Sequence, residues 1–214
     1  MKNLKLLVFG LLLSNLSYGQ IVKIQAGPSF SVLDWRTDNM PIIPYDDVLI
    51  GYSVTAGIDY LDSKYFNLSS NLGLIRKGGK ELVTYMNSSG EPIGEGIARA
   101  KLDYFTVNTT IDIKLPVNDK LIPFISIGPR FDYLIKHSID FQGVNEMGEL
   151  NKYNVGLIFG GGMKYDLSKF QIGLRADYYM NFIKVAEWPA QGDNSWGEID
   201  DRTFSLNLIV GYKL

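Results

Sequence analysis

Apolar and polar residues alternate with period two along nearly the whole chain, the pattern of strands with one apolar and one polar face. Between 21 and 33, Val22, Ile24, Ala26, Phe30 and Val32 share one face, and Lys23, Gln25, Gly27, Ser29 and Ser31 share the other. The same design recurs at 49–61, 65–77, 101–115, 121–136, 152–166, 170–184 and 202–214. Eight strands are therefore expected. Asp62-Ser63-Lys64, Val117-Asn118-Asp119-Lys120 and Asp166-Leu167-Ser168-Lys169 read as tight turns between them. The connections at 34–48, 78–100, 137–151 and 185–201 are long and read as loops. Short turns at one end and long loops at the other is the asymmetry of bacterial outer-membrane barrels, short turns periplasmic. The expected fold is all-β: an eight-stranded antiparallel up-and-down transmembrane β-barrel.

A weak internal repeat supports two four-strand halves. Ile24-Gln25-Ala26-Gly27-Pro28-Ser29-Phe30 resembles Ile125-Ser126-Ile127-Gly128-Pro129-Arg130-Phe131. Gly57-Ile58-Asp59-Tyr60 likewise resembles Gly162-Met163-Lys164-Tyr165.

Alternation does not say which face points outward, and a soluble lipocalin-like barrel would turn its apolar face in. Three features favour the membrane arrangement. Glycines such as Gly27, Gly57, Gly128 and Gly160 fall on the polar face, where a narrow barrel has little room. Aromatics gather near both strand ends, as Phe66, Tyr165 and Phe170 at one and Phe105, Tyr133 and Tyr153 at the other, suiting two membrane interfaces. The chain also has no cysteine to clamp the loops of a secreted binding barrel.

The N-terminus fits export. Lys2 and Lys5 precede the apolar run Leu6–Leu13, and Ser17-Tyr18-Gly19 offers small residues for cleavage. Residues 1–19 are expected to be a cleaved signal peptide and 20–214 the barrel domain. The formal net charge of −2 becomes more negative when Lys2 and Lys5 leave, which argues against nucleic acid as a partner.

Inside such a barrel the polar face carries Lys23, Asp59, Asp112, Lys114, Arg130, Asp132, Lys164, Arg175 and Asp177. Both signs are present, so ion pairs closing the lumen are expected rather than an open pore. Trp35, Tyr45, Trp188 and Trp196 fall in expected outer loops and form a candidate interaction surface, a packed cap being the alternative. Lys77, Lys80, Arg99, Lys101, Lys136, Lys152, Lys184 and Arg202 form an expected basic collar that would meet lipopolysaccharide phosphates. Asp46-Asp47, Glu91, Glu146, Glu149, Asp193, Glu198 and Asp200-Asp201 read as acidic loop tips, without calcium-loop spacing. His137 is the only histidine. It adjoins Ser138, but neighbours on a strand face opposite ways, so the two do not form a nucleophile and base. No enzymatic activity, metal or cofactor is expected.

With these features the chain resembles the PorT-like outer-membrane β-barrel domains of Gram-negative bacteria. The likeness rests on Ala26-Gly27-Pro28, Leu102-Asp103-Tyr104, the exit from Asp112 to Pro116, the segment from Pro123 to Pro129, and Val210-Gly211-Tyr212-Lys213-Leu214. Members usually end on an aromatic residue, where this chain has Leu214. The resemblance implies an outer-membrane location, partners among outer-membrane lipid, lipopolysaccharide and envelope proteins, and a role near type IX secretion. It brings no catalytic residues. The resulting expectation is a structural or interaction protein, with a lipid-modifying enzyme, a small-solute channel and a soluble binding barrel as alternatives.

Overall fold

The computed structural model describes residues 20–37, 45–115, 117–118, 120–140, 150–188 and 197–214. Nine antiparallel strands follow in order: β1 (Ile21–Thr37), β2 (Leu49–Asp62), β3 (Phe66–Met86), β4 (Pro92–Lys114), β5 (Leu121–Ile139), β6 (Tyr153–Leu167), β7 (Phe170–Asn181), β8 (Ala186–Trp188) and β9 (Gly197–Lys213). Each pairs with the next as far as β7, β7 pairs with β9, and β9 pairs back with β1, so eight strands close a ring. Closure gives each strand of the ring a partner on both sides, so the barrel presents no free sheet edge to lipid.

The faces are inverted relative to a soluble barrel. Lys23 is 1% exposed, whereas Ile24 beside it is 59% exposed. The same parity buries Gln25, Ser53, Asn71, Thr110 and Asn207 and exposes Leu72, Ile111, Ile125, Leu174 and Leu208. An apolar belt of this height around a ring requires a hydrocarbon surround. Aromatics edge the belt, with Phe170 against Tyr212 at the short-turn end (ring centroids 5.3 Å apart) and Tyr133 against Tyr153 at the other (5.5 Å).

The outer half departs from the expected loops. The segment 78–100 is mostly strand: β3 and β4 stay paired from Gly78↔Lys101 to Met86↔Pro92, forming a two-stranded ribbon beyond the ring. Asn87 ends it, its side-chain oxygen accepting from the amides of Ser89 and Glu91, both at 2.9 Å. The segment 185–201 holds β8 and the start of β9. Here β7 gives way after Asn181, and β8 takes its place beside β9. Polar residues on both faces of the ribbon, and an inward face that turns apolar, hide these extensions from a two-period reading.

The internal repeat has a structural counterpart. The β1–β9 ladder is interrupted at Gly27-Pro28 and the β4–β5 ladder at Gly128-Pro129, four strands apart in the ring. Proline brings no N–H to a ladder. At Gly27 a Cβ would fall 1.9 Å from the Leu206 carbonyl oxygen, and at Gly128 the same distance from that of Thr109. Only glycine permits so close a backbone approach.

Candidate functional site

The lumen is stacked in layers, built from inward positions of successive strands. At the short-turn end, Lys114 pairs with Asp62 and donates to the Ser63 carbonyl at 3.0 Å. Above it runs an alternating chain of charges. Lys23 lies 2.6 Å from Asp59, Lys164 lies 3.5 Å from Asp59 and 3.1 Å from Asp112, and Arg175 lies 3.4 Å from Asp112 and 2.7 Å from Asp177. Three cations meet three carboxylates, all buried, so the chain is electrically neutral. The Phe124 ring supports it, with its centroid 4.9 Å from Lys164 Nζ.

A belt of amides and hydroxyls follows. Gln25 donates to Asn71 and Asn71 to Asn108, both at 2.9 Å, and Arg175 donates to Ser126 at 2.8 Å. A cavity of about 10 Å³ lies within this belt, the size of a single water site.

A second charge layer sits higher. Lys77 lies 3.1 Å from Asp132 and 3.0 Å from Asp201, and Arg130 pairs with Asp132. Lys77 also faces the rings of Tyr104 and Tyr179, at 5.2 and 5.6 Å. Beyond these rings the inward face becomes apolar: Leu33, Trp35, Tyr45, Leu102, Val185 and Ile199 form one buried cluster. It seals the outer end of the barrel.

Eight of the nine expected lumen residues thus fall into two neutral clusters, while Lys114 pairs at the mouth. Sequence reasoning placed Lys77 in the basic collar and Asp201 in an acidic loop tip. Both are instead fully buried partners, because β3 and β9 extend past the expected strand ends. Parity was the signal that marked them: Lys77 continues the inward row of Gly73 and Ile75, and Asp201 that of Thr203 and Ser205.

Trp35 and Tyr45 do not form an exposed surface. Trp35 ends the inward row of β1, and both side chains pack in the cap, 5% and 0% exposed. Burial of such large apolar rings wins wherever the strand presents them inward. Trp188 lies in β8, opposite Gly197. Trp196 lies outside the described residues, as do Glu146, Glu149 and Asp193.

The collar also divides. Arg202 pairs with Asp34, 2.5 Å away, and Lys184 lies 3.4 Å from Glu198 and 3.2 Å from Asp200. Partial burial alone would lower the Lys184 pKa. The Asp200 and Glu198 carboxylates outweigh it and hold the ammonium above the ordinary lysine value. Lys80, Arg99, Lys101, Lys136 and Lys152 have no carboxylate within ion-pair distance among the described residues. His137 and Ser138 stand in opposite rows of β5, across from Leu102 and Lys101. No group of three or more potential ligands that could hold a metal ion occurs among the described residues.

Comparison with known proteins gives a family match. The model of the outer membrane protein beta-barrel domain matches residues 22–187. No curated protein sequence matches the chain. Among solved structures, OprG of Pseudomonas aeruginosa superposes with a TM-score of 0.55 at 12% identity, covering 92% of this chain and 96% of that one. Neisserial surface protein A gives 0.48 at 12% identity, over 90% and 97%. Ail of Yersinia pestis gives 0.43 at 11% identity, over 91% and 98%. At 12% identity the likeness to OprG is one of fold.

Proposed function

Because this chain belongs to the outer membrane protein beta-barrel domain family and is an integral β-barrel of the outer membrane, we propose that it acts as a closed scaffold. In this reading it conducts nothing, and it presents the β3–β4 ribbon and the outer connections to other envelope components. The observation that carries the proposal is the layered lumen: among the described residues, two neutral ion clusters under an apolar cap occupy the interior with paired and packed side chains. A pore would need a lined channel, and an eight-stranded ring is narrow enough for side chains to fill. Residues 1–19, outside the described set, serve as the cleaved export signal.

The finer reading is a PorT-like role beside the type IX secretion apparatus. Support comes from the sequence features that carry the resemblance, among them the Gly-Pro notches of β1 and β5. Catalysis is not part of the proposal. His137 is exposed and, among the described residues, hydrogen-bonds to no serine or carboxylate.

Two experiments test these readings. Purified barrel reconstituted in planar bilayers should give no stable single-channel steps, and reproducible conductance would sink the closed-scaffold reading. Cross-linking and affinity capture from intact outer membranes should recover stoichiometric envelope partners, secretion components among them. A barrel recovered alone would remove the assembly role.

A further inference from the structure

Four cations without a carboxylate in ion-pair distance among the described residues share one outward-facing patch. On the outward face of the ribbon root, Lys80 of β3 stands directly opposite Arg99 of β4. Lys101 follows two residues further down β4 on the same face, opposite Gly78 on one side and Ser138 on the other. Lys136 of β5 comes next, opposite Asp103. Arg76, on the same face, is already committed: it donates to both Asp103 oxygens, at 2.7 and 2.9 Å, and stacks on the Tyr52 ring. Asp47 pairs with Lys80 through the backbone, and the Asp140 carboxylate accepts from the Arg99 amide. Neither carboxylate comes within ion-pair distance of the four cations.

Height locates the patch. Leu74, Phe105 and Tyr133, mutually paired across β3, β4 and β5, form an outward apolar rung, and exposed Ile135 stands just above Tyr133. The next outward positions are Arg76, Asp103 and Lys136, then Lys101, then Lys80 and Arg99. The four cations therefore begin one rung above Leu74 and Phe105, and outward apolar residues return above them at the paired Leu82 and Ile97 of the ribbon, so the patch is a cationic band across the outer rim.

The energetics point the same way. Like charges directly opposite on paired strands destabilise the pair, and Lys80 faces Arg99 in that way. At two other rim cations, Lys184 and Arg202, the protein supplies carboxylates. An anion bridging Lys80, Arg99 and Lys101 would relieve the repulsion through charge-assisted hydrogen bonds, and guanidinium geometry suits phosphate oxygens. Ser138 adds a hydroxyl donor beside Lys101.

We propose that Lys80, Arg99, Lys101 and Lys136 form a binding site for the phosphate groups of outer-leaflet lipopolysaccharide, confined to the β3–β5 side of the barrel. The site rests on the outer-membrane location and not on the closed-scaffold reading.

The test uses full-length barrel in detergent, titrated with phosphorylated lipopolysaccharide and with the same material after phosphatase treatment. The quadruple variant Lys80→Gln, Arg99→Gln, Lys101→Gln, Lys136→Gln should bind the phosphorylated form at least about tenfold more weakly than wild type, as the loss of charge-assisted hydrogen bonds implies. Wild type should lose a similar factor for the dephosphorylated form. Lys120→Gln with Lys169→Gln, at the short turns, should leave binding unchanged. Heat-modifiable migration in gels reports folding, and Lys80→Gln with Arg99→Gln serves if the quadruple variant misfolds. Equal affinity of wild type and variant for phosphorylated lipopolysaccharide would overturn the site. So would equal affinity of wild type for both lipid forms.

Discussion

Lys77 Nζ and Asp201 Oδ2 lie 3.0 Å apart, joining β3 to β9 across the lumen immediately beneath the apolar cap. Both side chains are fully buried, and Thr203 and Asn181 each donate a hydrogen bond to the same carboxylate at 2.8 Å. Removing one partner of a buried pair leaves an uncompensated charge and costs about 3–5 kcal/mol, whereas apolar replacement of both is often close to neutral. Asp201→Leu should therefore lower stability by about that amount in urea unfolding from lipid vesicles, and Lys77→Met with Asp201→Leu should recover most of it. A double variant as unstable as the single one would show that the pair does not act as a unit.

The lower cluster makes a parallel case with a different readout. Asp112 links Lys164 to Arg175 in the alternating chain. Asp112→Ala leaves that layer with excess positive charge. A loss of roughly 3–5 kcal/mol should accompany slower recovery of the heat-modifiable form after refolding, while bilayers stay silent because the upper layer and cap remain.

The cap is tested at Trp35. Trp35→Ala removes a large ring from a sealed cluster and should cost about 3–5 kcal/mol, the range for such deletions in well-packed cores. Conductance should remain absent, since both charge layers lie below. Channel activity in this variant would mean that the cap alone closes the barrel.

The glycine notches give a sharp contrast. Gly128→Ala would place a Cβ 1.9 Å from the Thr109 carbonyl oxygen, whereas at Gly161 the nearest atom lies at 3.3 Å. Gly128→Ala is expected to destabilise by roughly 1–3 kcal/mol or more and to abolish heat-modifiable folding at elevated temperature. Gly161→Ala should fold as wild type does.

Lys184 provides a pH dependence. Its pKa is raised in the folded protein by Asp200 and Glu198. A raised value means that its contribution is complete below the unfolded lysine value of about 10.4 and fades as pH rises through the folded one. Alkaline titration of thermal stability should show this loss only above the ordinary lysine range, and Lys184→Gln should remove the feature.

The eight strands of the ring, its closure and the inward charges of β1, β2 and β4–β7 were legible because polar and apolar residues alternate cleanly there. Reading stopped where the chemistry of the faces changed. Leu33 and Trp35 continue the inward row of Ser29 and Ser31 as apolar residues, so alternation ends β1 too early. Ala98, Ala100 and Leu102 do the same in β4, while Lys80, Glu81, Thr84 and Glu95 put polar groups on both faces of the ribbon. Lys77 and Asp201 were missed for this reason alone, since their parity was correct. Trp35 and Tyr45 lie beyond the strand ends that alternation predicts, so the sequence leaves an exposed surface and a packed cap both open, and burial decides for the cap. Which cations lack carboxylates could not be read from sequence, because pairing depends on neighbours distant along the chain, as for Arg202 with Asp34.

The seam between β1 and β9 dictates an order of events. Ile21 aligns with Lys213 and Thr37 with Gly197, so the first and last strands of the ring meet only when nearly the whole chain has been delivered. Closing so long a loop carries the largest entropy penalty in the molecule and makes this the slowest class of pairing. Until then β1 and β9 each offer an unpaired edge, and the lumenal charges lack some of their partners. Such an intermediate exposes sheet edges to water and presents unpaired backbone groups to lipid, both unfavourable. Its passage across the periplasm therefore calls for a holding factor that shields strand edges, and insertion calls for a catalyst that brings the two ends together.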